Sequence, residues 1–400
     1  MEGMRNPPLF EETEVFVGGQ DDINTYRIPA LVCTDRGTVL AFCEGRIDTN
    51  ADRSPTHVAL KRSLGNTGKW MARPTPGPTP EGRSRQRNMM WRPMQIVVPS
   101  TGREAYMNPV PIFERTTGAV HLLVNRHQVH DKEVLGVPVL LLTSRDEGAT
   151  WSEPIDITPS VGLKELGPGI GIQMCSGRLV APTYDGVIFS DDDGRTWRAG
   201  GETSGPISET QVVELADGSL MLNTRGAPSR TVVISSDGGQ TWGEPRTDPT
   251  LTDPELWGGC QASIIRYTRA ARCAAAERGQ TVSQDEGHAR NRLLFANPAH
   301  RKYRFDMTVR LSYDEGKSWP VARLMKQGTA AYSSMAVLPD GSVGLIYETG
   351  NVYAGGAVGG DAAARFAAPE RGRAASVEYY AKLVLARFNL EWLTGGEDGL

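Results

Sequence analysis

The sequence predicts an all-β fold, a six-bladed β-propeller of four-stranded antiparallel blades, and three observations carry that expectation. A turn-like octapeptide recurs four times, a second hairpin signal recurs in step with it, and the composition suits many short strands. Of 400 residues, 45 are glycine and 26 proline, while helix-favouring stretches are scarce. Length alone would suggest two or three domains. A closed ring of repeats accounts for it as a single domain spanning 1–400, without a linker.

The octapeptide reads S-x-D-x-G-x-[TS]-W and occurs as SRDEGATW (144–151), SDDDGRTW (190–197), SSDGGQTW (235–242) and SYDEGKSW (312–319). Successive copies start 46, 45 and 77 residues apart, and the long gap contains an alanine-rich, then polar stretch that reads as an inserted loop at about 269–291. A degenerate fifth copy is SLGNTGKW (63–70). Aspartate accepts backbone N–H bonds, glycine takes a positive φ, and tryptophan fills space between neighbouring sheets, so the box is a structural turn. A strand-like run precedes each box: VPVLLLT, GVIF, TVVI and MTVRL. Hairpin signals of a second kind lie upstream, as TDRGTV, RTTGAV, CSGRL, LADGSL and LPDGSV. Aligning the two signals gives six units, starting near Tyr26, Met107, Gly169, Glu209, Cys260 and Tyr332. The early strand EVFVGG (14–19) is left to pair beside the terminal run KLVLARFNLEWL and close the ring.

Charge and targeting signals narrow the function classes. A formal charge of −4 and a pI near 6.0 give no basic field for nucleic acid or acidic membranes. The basic cluster at 83–92 sits among Pro, Gly and Ser and reads as a solvated loop. The longest apolar run, 137–142, is broken by Pro138 and too short to span a bilayer, so no transmembrane segment is expected. The amino terminus lacks a secretory pattern, and five widely spaced cysteines without C-x-x-C read as free thiols. A cytoplasmic location follows as the expectation. HQVH (127–130) has metal-like spacing but lacks partners and is placed in a loop, and GPGIG (167–171) has no helix after it. No metal and no cofactor are expected.

Propeller geometry then selects residues. The start of strand one, the end of strand two and the start of strand three of each unit share one face, opposite the boxes. Those positions hold Arg27, Glu44, Arg46 with the loop containing Asp48 and Asp52, Asn108, Tyr184, Glu209, Arg225, Gln261, Arg304, Tyr332 and Glu348. Three arginines from three units on one face, beside a tyrosine and several carboxylates, describe an anion pocket, because guanidinium groups pair with carboxylate or phosphate in fixed geometry at any working pH.

The motifs YRIP (26–29), ETQVVEL (209–215), LNTR (222–225), AYSS (331–334) and YE (347–348), with four boxes, resemble those of the exo-α-sialidases over 25–392. The resemblance implies a retaining hydrolase that removes terminal sialic acids from glycoproteins, glycolipids or oligosaccharides. It implies that Arg27, Arg225 and Arg304 hold the substrate carboxylate, the last chosen over Arg301 and Arg310 by the spacing R-x-D-x-T-V-R. Tyr332 becomes the nucleophile, Glu209 its base, and Glu348 the support of the first arginine. The acid/base is Asp52, with Asp48 as competitor. Arg46, Asn108, Tyr184 and Gln261 fall at substrate contacts, and Glu133 aligns with the glycerol side, where Gly186 replaces a tyrosine of some relatives. A neutral phenol suits this substrate, since a carboxylate nucleophile would be repelled by the substrate's own carboxylate. An enzyme preferring the deaminated sialic acid Kdn and a non-catalytic sialic-acid-binding propeller are the alternatives.

Overall fold

Each octapeptide box folds into the same turn, locked by its own side chains. In the first, Ser144 donates its hydroxyl to Asp146 (2.8 Å) and accepts from the Gly148 amide (2.8 Å). Asp146 in turn accepts from the Thr150 amide (2.8 Å) and hydroxyl (2.6 Å). The pattern repeats around Asp192, Asp237 and Asp314. The box glycine is required at Gly194, where φ is 82° and an added Cβ would lie 2.4 Å from the His121 ring.

The computed structural model describes residues 6–64, 89–129, 136–205, 207–268, 290–354, 364–367 and 374–399. Most of the degenerate box, most of the basic cluster, Glu133 and nearly all of the inserted loop lie outside them.

The chain opens with β1 (Phe10–Val17) and runs through β2 (Thr25–Cys33), β3 (Val39–Arg46), β4 (Thr56–Ser63), β5 (Gln95–Val98), β6 (Glu104–Phe113), β7 (Val120–Gln128), β8 (Val139–Ser144) and β9 (Ile155–Asp156). Strands β10 to β13 are Ile172–Gln173, Leu179–Thr183, Gly186–Ser190 and Arg198–Glu202, and β14 to β17 are Thr210–Glu214, Leu220–Thr224, Ser229–Ser235 and Arg246–Thr252. Strands β18 to β21 are Ser263–Arg266, Leu293–Pro298, Phe305–Ser312 and Val321–Thr329. The last are β22 (Ser333–Val337), β23 (Val343–Ala354), β24 (Ala364–Ala367) and β25 (Ala374–Phe388).

The fold is an all-β propeller, and the expected six separate four-stranded blades are corrected. Three sheets have four strands (β10–β13, β14–β17, β18–β21), and a fourth has five, in which β22, β23 and β25 pair in order with β1 at the edge. Those four are blades of ordinary size. The strands of the first two expected units instead form one eight-stranded sheet, because β4 meets β6 in a parallel bridge at Thr56 and Ala105. No sequence spacing reports a hydrogen bond between neighbouring units.

Closure of the ring is by chain ends. β1 pairs antiparallel with β25, from Phe10 opposite Phe388 to Val17 opposite Lys382. The terminal run does not stay extended. Asn389 accepts from the Trp392 amide (3.0 Å) and caps a short helix, Leu390–Thr394, whose Trp392 stacks on Phe10. The core lies between neighbouring sheets: Trp197 is buried with Val110, Leu123 and Val139 of one sheet and Leu179 and Ile188 of the next. Cys33, Cys43 and Cys260 are free, but Cys175 is disulfide-bonded, so the expectation of free thiols throughout fails there. It sits on a hairpin turn where sequence spacing carried no pairing signal.

Candidate active site

Two inner strands carry bulges at the same end of the fold, and both bulges are pinned by buried carboxylates. The β2–β3 register shifts between Arg27 and Ala30, and the β6–β7 register shifts between Met107 and Val110. Ile28 and Asn108 sit there with φ of 54° and 53°. For a β-branched residue this left-handed conformation is strained by about 1–3 kcal/mol. Glu348 holds the first bulge, accepting from the Ile28 amide (2.8 Å), the Arg27 Nε (2.7 Å) and the Tyr332 amide (3.2 Å). Glu44 holds the second, accepting from the Asn108 amide (3.0 Å) and from Arg46 Nε and Nη2 (3.0 and 2.7 Å). A third buried carboxylate, Asp253, pins the Gly226 and Cys260 amides (both 3.0 Å) and pairs with Arg230 (2.9 Å). Strain at the site is thus offset by buried ionic hydrogen bonds.

On this frame Arg27, Arg225, Arg304, Glu209 and Tyr332 come together. The Tyr332 hydroxyl donates to Glu209, and Arg225 Nη1 lies 3.2 Å from the same hydroxyl and 2.9 Å from Glu209. The guanidinium carbons of Arg27 and Arg304 stand 5.4 and 5.2 Å from the Tyr332 ring centre. Burial pushes the Tyr332 phenol well above its ordinary value, Glu209 raises it further, and Arg225 and Arg304 pull against both. The phenol therefore holds its proton in this state.

The three arginines are not equivalent. Arg27 is compensated by Glu348 and Arg225 by Glu209. Arg304 is only 3% exposed, and its partners are the Tyr380 hydroxyl (3.1 Å), the Gly259 carbonyl (2.9 Å) and the faces of Trp257 and Tyr332, with Nε unpartnered. Among the described residues no carboxylate pairs with it. A buried, uncompensated guanidinium beside a phenol is a site for an anion.

A pocket of about 1170 Å³ opens beside these groups, lined by Arg46, Asp52, Asn108, Tyr184, Glu209 and Tyr332 among others. Asp48 is exposed and does not line it. Asp52 pairs with Arg46 Nη1 (2.8 Å) with its side chain three-quarters exposed. Desolvation raises its pKa, and the guanidinium groups of Arg46, Arg27 and Arg304 more than offset this, leaving it below the ordinary aspartate value. Arg46 is fully buried and spends its donors on Glu44, Asp52 and the Asn50 carbonyl (2.5 Å), so it holds the acidic loop. Tyr184 is pushed well above the ordinary phenol value by burial, then by Glu209 and Tyr332. Gln261 does not line the pocket; its amide is occupied by Ser333 and the Pro168 carbonyl behind it.

Several pocket residues escaped the sequence reading. His127 lies in β7 rather than a loop, and its Nε2 is 3.2 Å from Glu165, which also accepts from Asn108 (2.9 Å). Lys164 pairs with Asp185 (2.5 Å) and Glu202 (3.4 Å) at the pocket wall. Tyr380 and Trp257 contact the arginines. Tyr380 lies in the middle of the closing strand β25, where no sequence signal marks it.

Comparison with known proteins fits this geometry. The family model described as a BNR repeat-like domain matches residues 81–345. A sialidase from Micromonospora viridifaciens is 32% identical over 86% of this chain and 53% of its own length. An exo-alpha-sialidase from Aspergillus fumigatus is 27% identical over 94% of this chain and 86% of its own. The solved structure of Hadza microbial sialidase Hz136 superposes with a TM-score of 0.67 at 27% identity, covering 84% of this chain and 66% of that one. The chain thus spans about half the length of the Micromonospora relative.

Proposed function

The chain belongs to the BNR repeat-like domain family, and on that premise we propose that it is a retaining exo-α-sialidase. It releases terminal sialic acids from glycoproteins, glycolipids and oligosaccharides through a tyrosyl-enzyme intermediate. The observation that carries this reading is the constellation around Tyr332: a phenol donating to Glu209 and faced by three arginines, one of which has no carboxylate partner among the described residues. Relatives named sialidase and exo-alpha-sialidase support it.

In this reading the sialic acid carboxylate enters between Arg27, Arg225 and Arg304 and supplies the anion that Arg304 lacks. The Tyr332 oxygen attacks the anomeric carbon as Glu209 takes the phenolic proton. The bond from the anomeric carbon to the aglycone oxygen breaks, and protonated Asp52 gives its proton to the departing oxygen. Water then attacks the same carbon, giving a proton to the Asp52 carboxylate. The Tyr332 oxygen leaves and recovers its proton from Glu209. Two displacements retain the configuration, and the fixed guanidinium charges stabilise the oxocarbenium-like transition state through the carboxylate they hold.

Asp52 is the acid because it lines the pocket and Asp48 does not. Asp52 pairs with Arg46, and the substrate carboxylate, by offsetting Arg27 and Arg304, moves it back toward its protonated form. The test is hydrolysis of a fluorogenic N-acetylneuraminic acid glycoside and its Kdn counterpart by purified protein at mildly acidic pH. Turnover of either supports the reading, and the faster one settles the N-acyl preference. Binding without turnover would make the protein a sialic-acid-binding propeller and sink the proposal.

A further inference from the structure

We propose that Tyr380 is the positioning residue of the anion site: it fixes Arg27 and Arg304 with a neutral side chain, so that Arg304 stays free for the carboxylate of the ligand. The proposal deepens the sialidase reading and rests on it for the identity of that carboxylate.

The geometry joins both arginines through one ring. The Arg27 guanidinium carbon lies 3.7 Å from the centre of the Tyr380 ring, closer than to Tyr332. Arg304 Nη1 donates to the Tyr380 hydroxyl at 3.1 Å. A cation over a ring face is attracted by its quadrupole, and a phenol oxygen accepts from a guanidinium without cancelling its charge. A carboxylate in the same place would hold Arg304 more tightly and compete with the ligand. Arg27 and Arg225 each have an acidic partner, Glu348 and Glu209, whereas Arg304 is held by a phenol, a carbonyl and two aromatic faces. The neutral clamp falls on the arginine that has no carboxylate partner among the described residues.

The backbone is built to deliver this side chain. In the β23–β25 ladder Thr349 faces Lys382 and Asn351 faces Glu378, so residues 379–381 bulge opposite Gly350. A Cβ at Gly350 would sit 1.9 Å from the Glu378 carbonyl oxygen, which only glycine permits. Tyr379, in the same bulge, packs edge-on against Trp257 at 5.6 Å, and Trp257 covers Arg304 at 4.8 Å. One bulge therefore supports the arginine from two sides.

The test uses the full chain and two probes: the unsaturated glycal of N-acetylneuraminic acid, and its methyl ester, which lacks the negative charge. Calorimetric affinities are measured for wild type, Tyr380→Phe, Tyr380→Leu, Arg304→Lys and the Tyr380→Phe/Arg304→Lys double variant, each checked for native thermal unfolding. Tyr380→Phe is expected to weaken the acid by about tenfold, the value of one hydrogen bond to a charged group, and to leave the ester unchanged. Tyr380→Leu, which also removes the ring from Arg27, is expected to lose about threefold more. The double variant should lose less than the product of the two single losses. With a fluorogenic sialoside, KM should rise by more than kcat falls. Equal weakening of acid and ester would indicate general disruption and overturn the proposal. A Tyr380→Phe enzyme that binds the acid as wild type does would overturn it alone, with the sialidase reading intact. A wild type that binds neither probe overturns both.

Discussion

Replacing Glu348 by glutamine removes one charge from the centre of the site and changes almost no volume. The carboxylate is fully buried and accepts three hydrogen bonds, from Arg27, from the Ile28 amide and from the Tyr332 amide. Glutamine keeps one acceptor oxygen and turns an NH2 toward one of the three donors. An unsatisfied buried N–H costs about 1–3 kcal/mol. Leaving buried Arg27 without its partner costs about 3–5 kcal/mol, toward the lower end here because the Tyr380 ring still faces the cation. A net loss of about 4 kcal/mol is expected. For 400 residues unfolding at about 2 cal/mol/K each, that lowers Tm by about 5 °C. Because Glu348 also fixes the Tyr332 backbone, the phenol shifts, and a displacement of about 1 Å reduces kcat/KM by about 100-fold. Thermal unfolding followed by circular dichroism and hydrolysis of a fluorogenic sialoside measure the two effects. An E348Q protein with unchanged Tm and unchanged kcat/KM would refute the argument that this carboxylate builds the site.

Other expectations follow from the same contacts. Asp52→Asn should lower turnover of a sialoside with a poor leaving group by about 100-fold or more, while Asp48→Asn should change it less than twofold; the reverse ranking would move the acid to Asp48. In the free enzyme Asp52 is held below the ordinary aspartate pKa, so its protonated form declines and kcat/KM falls as pH rises through the acidic range. Arg46→Met lifts that pKa and should move the fall to higher pH, and a pH profile that stays in place would count against the ion pair's role. Asp237 in the third box is depressed to about 2, first by its hydrogen bond to Thr241, against about 3.9 when unfolded. Its stabilisation is present above pH 4 and lost as pH falls toward 2. Asp237→Ala should therefore lower Tm by about 2 °C near pH 7, for a loss of about 1–2 kcal/mol, and by less near pH 2.

The repeat made much of this arrangement legible in advance. Once boxes and hairpin signals are aligned, strand ends follow, and the ends carrying Arg27, Glu209, Arg225, Arg304 and Tyr332 do meet in space. Strand ends place Glu348 on the same face as Arg27, but its pairing with that arginine, 321 residues away, is expected only because the family resemblance implies it. What stayed hidden depends on single contacts between units. The bridge from Thr56 to Ala105 merges two units into one sheet without leaving any mark on spacing. Tyr380 reaches Arg304 through a bulge set by Gly350, and a bulge has no signature in an alternating strand. Arg46 is expected at a substrate contact because the resemblance implies it; it does line the pocket, and the ion pair with Glu44 two residues before it could not be read from spacing.

The phenolic oxygen of Tyr332 is the atom proposed to take the sugar. Incubation with a fluorinated sialosyl fluoride, which forms the glycosyl-enzyme and slows its hydrolysis, followed by peptide mass mapping, tests that directly. The expected result is one sialosyl adduct per chain on the peptide containing Tyr332, lost in Tyr332→Phe and turning over slowly when an acceptor is added. An adduct on another residue, or full hydrolysis of a sialoside by Tyr332→Phe with no adduct in either protein, would contradict it.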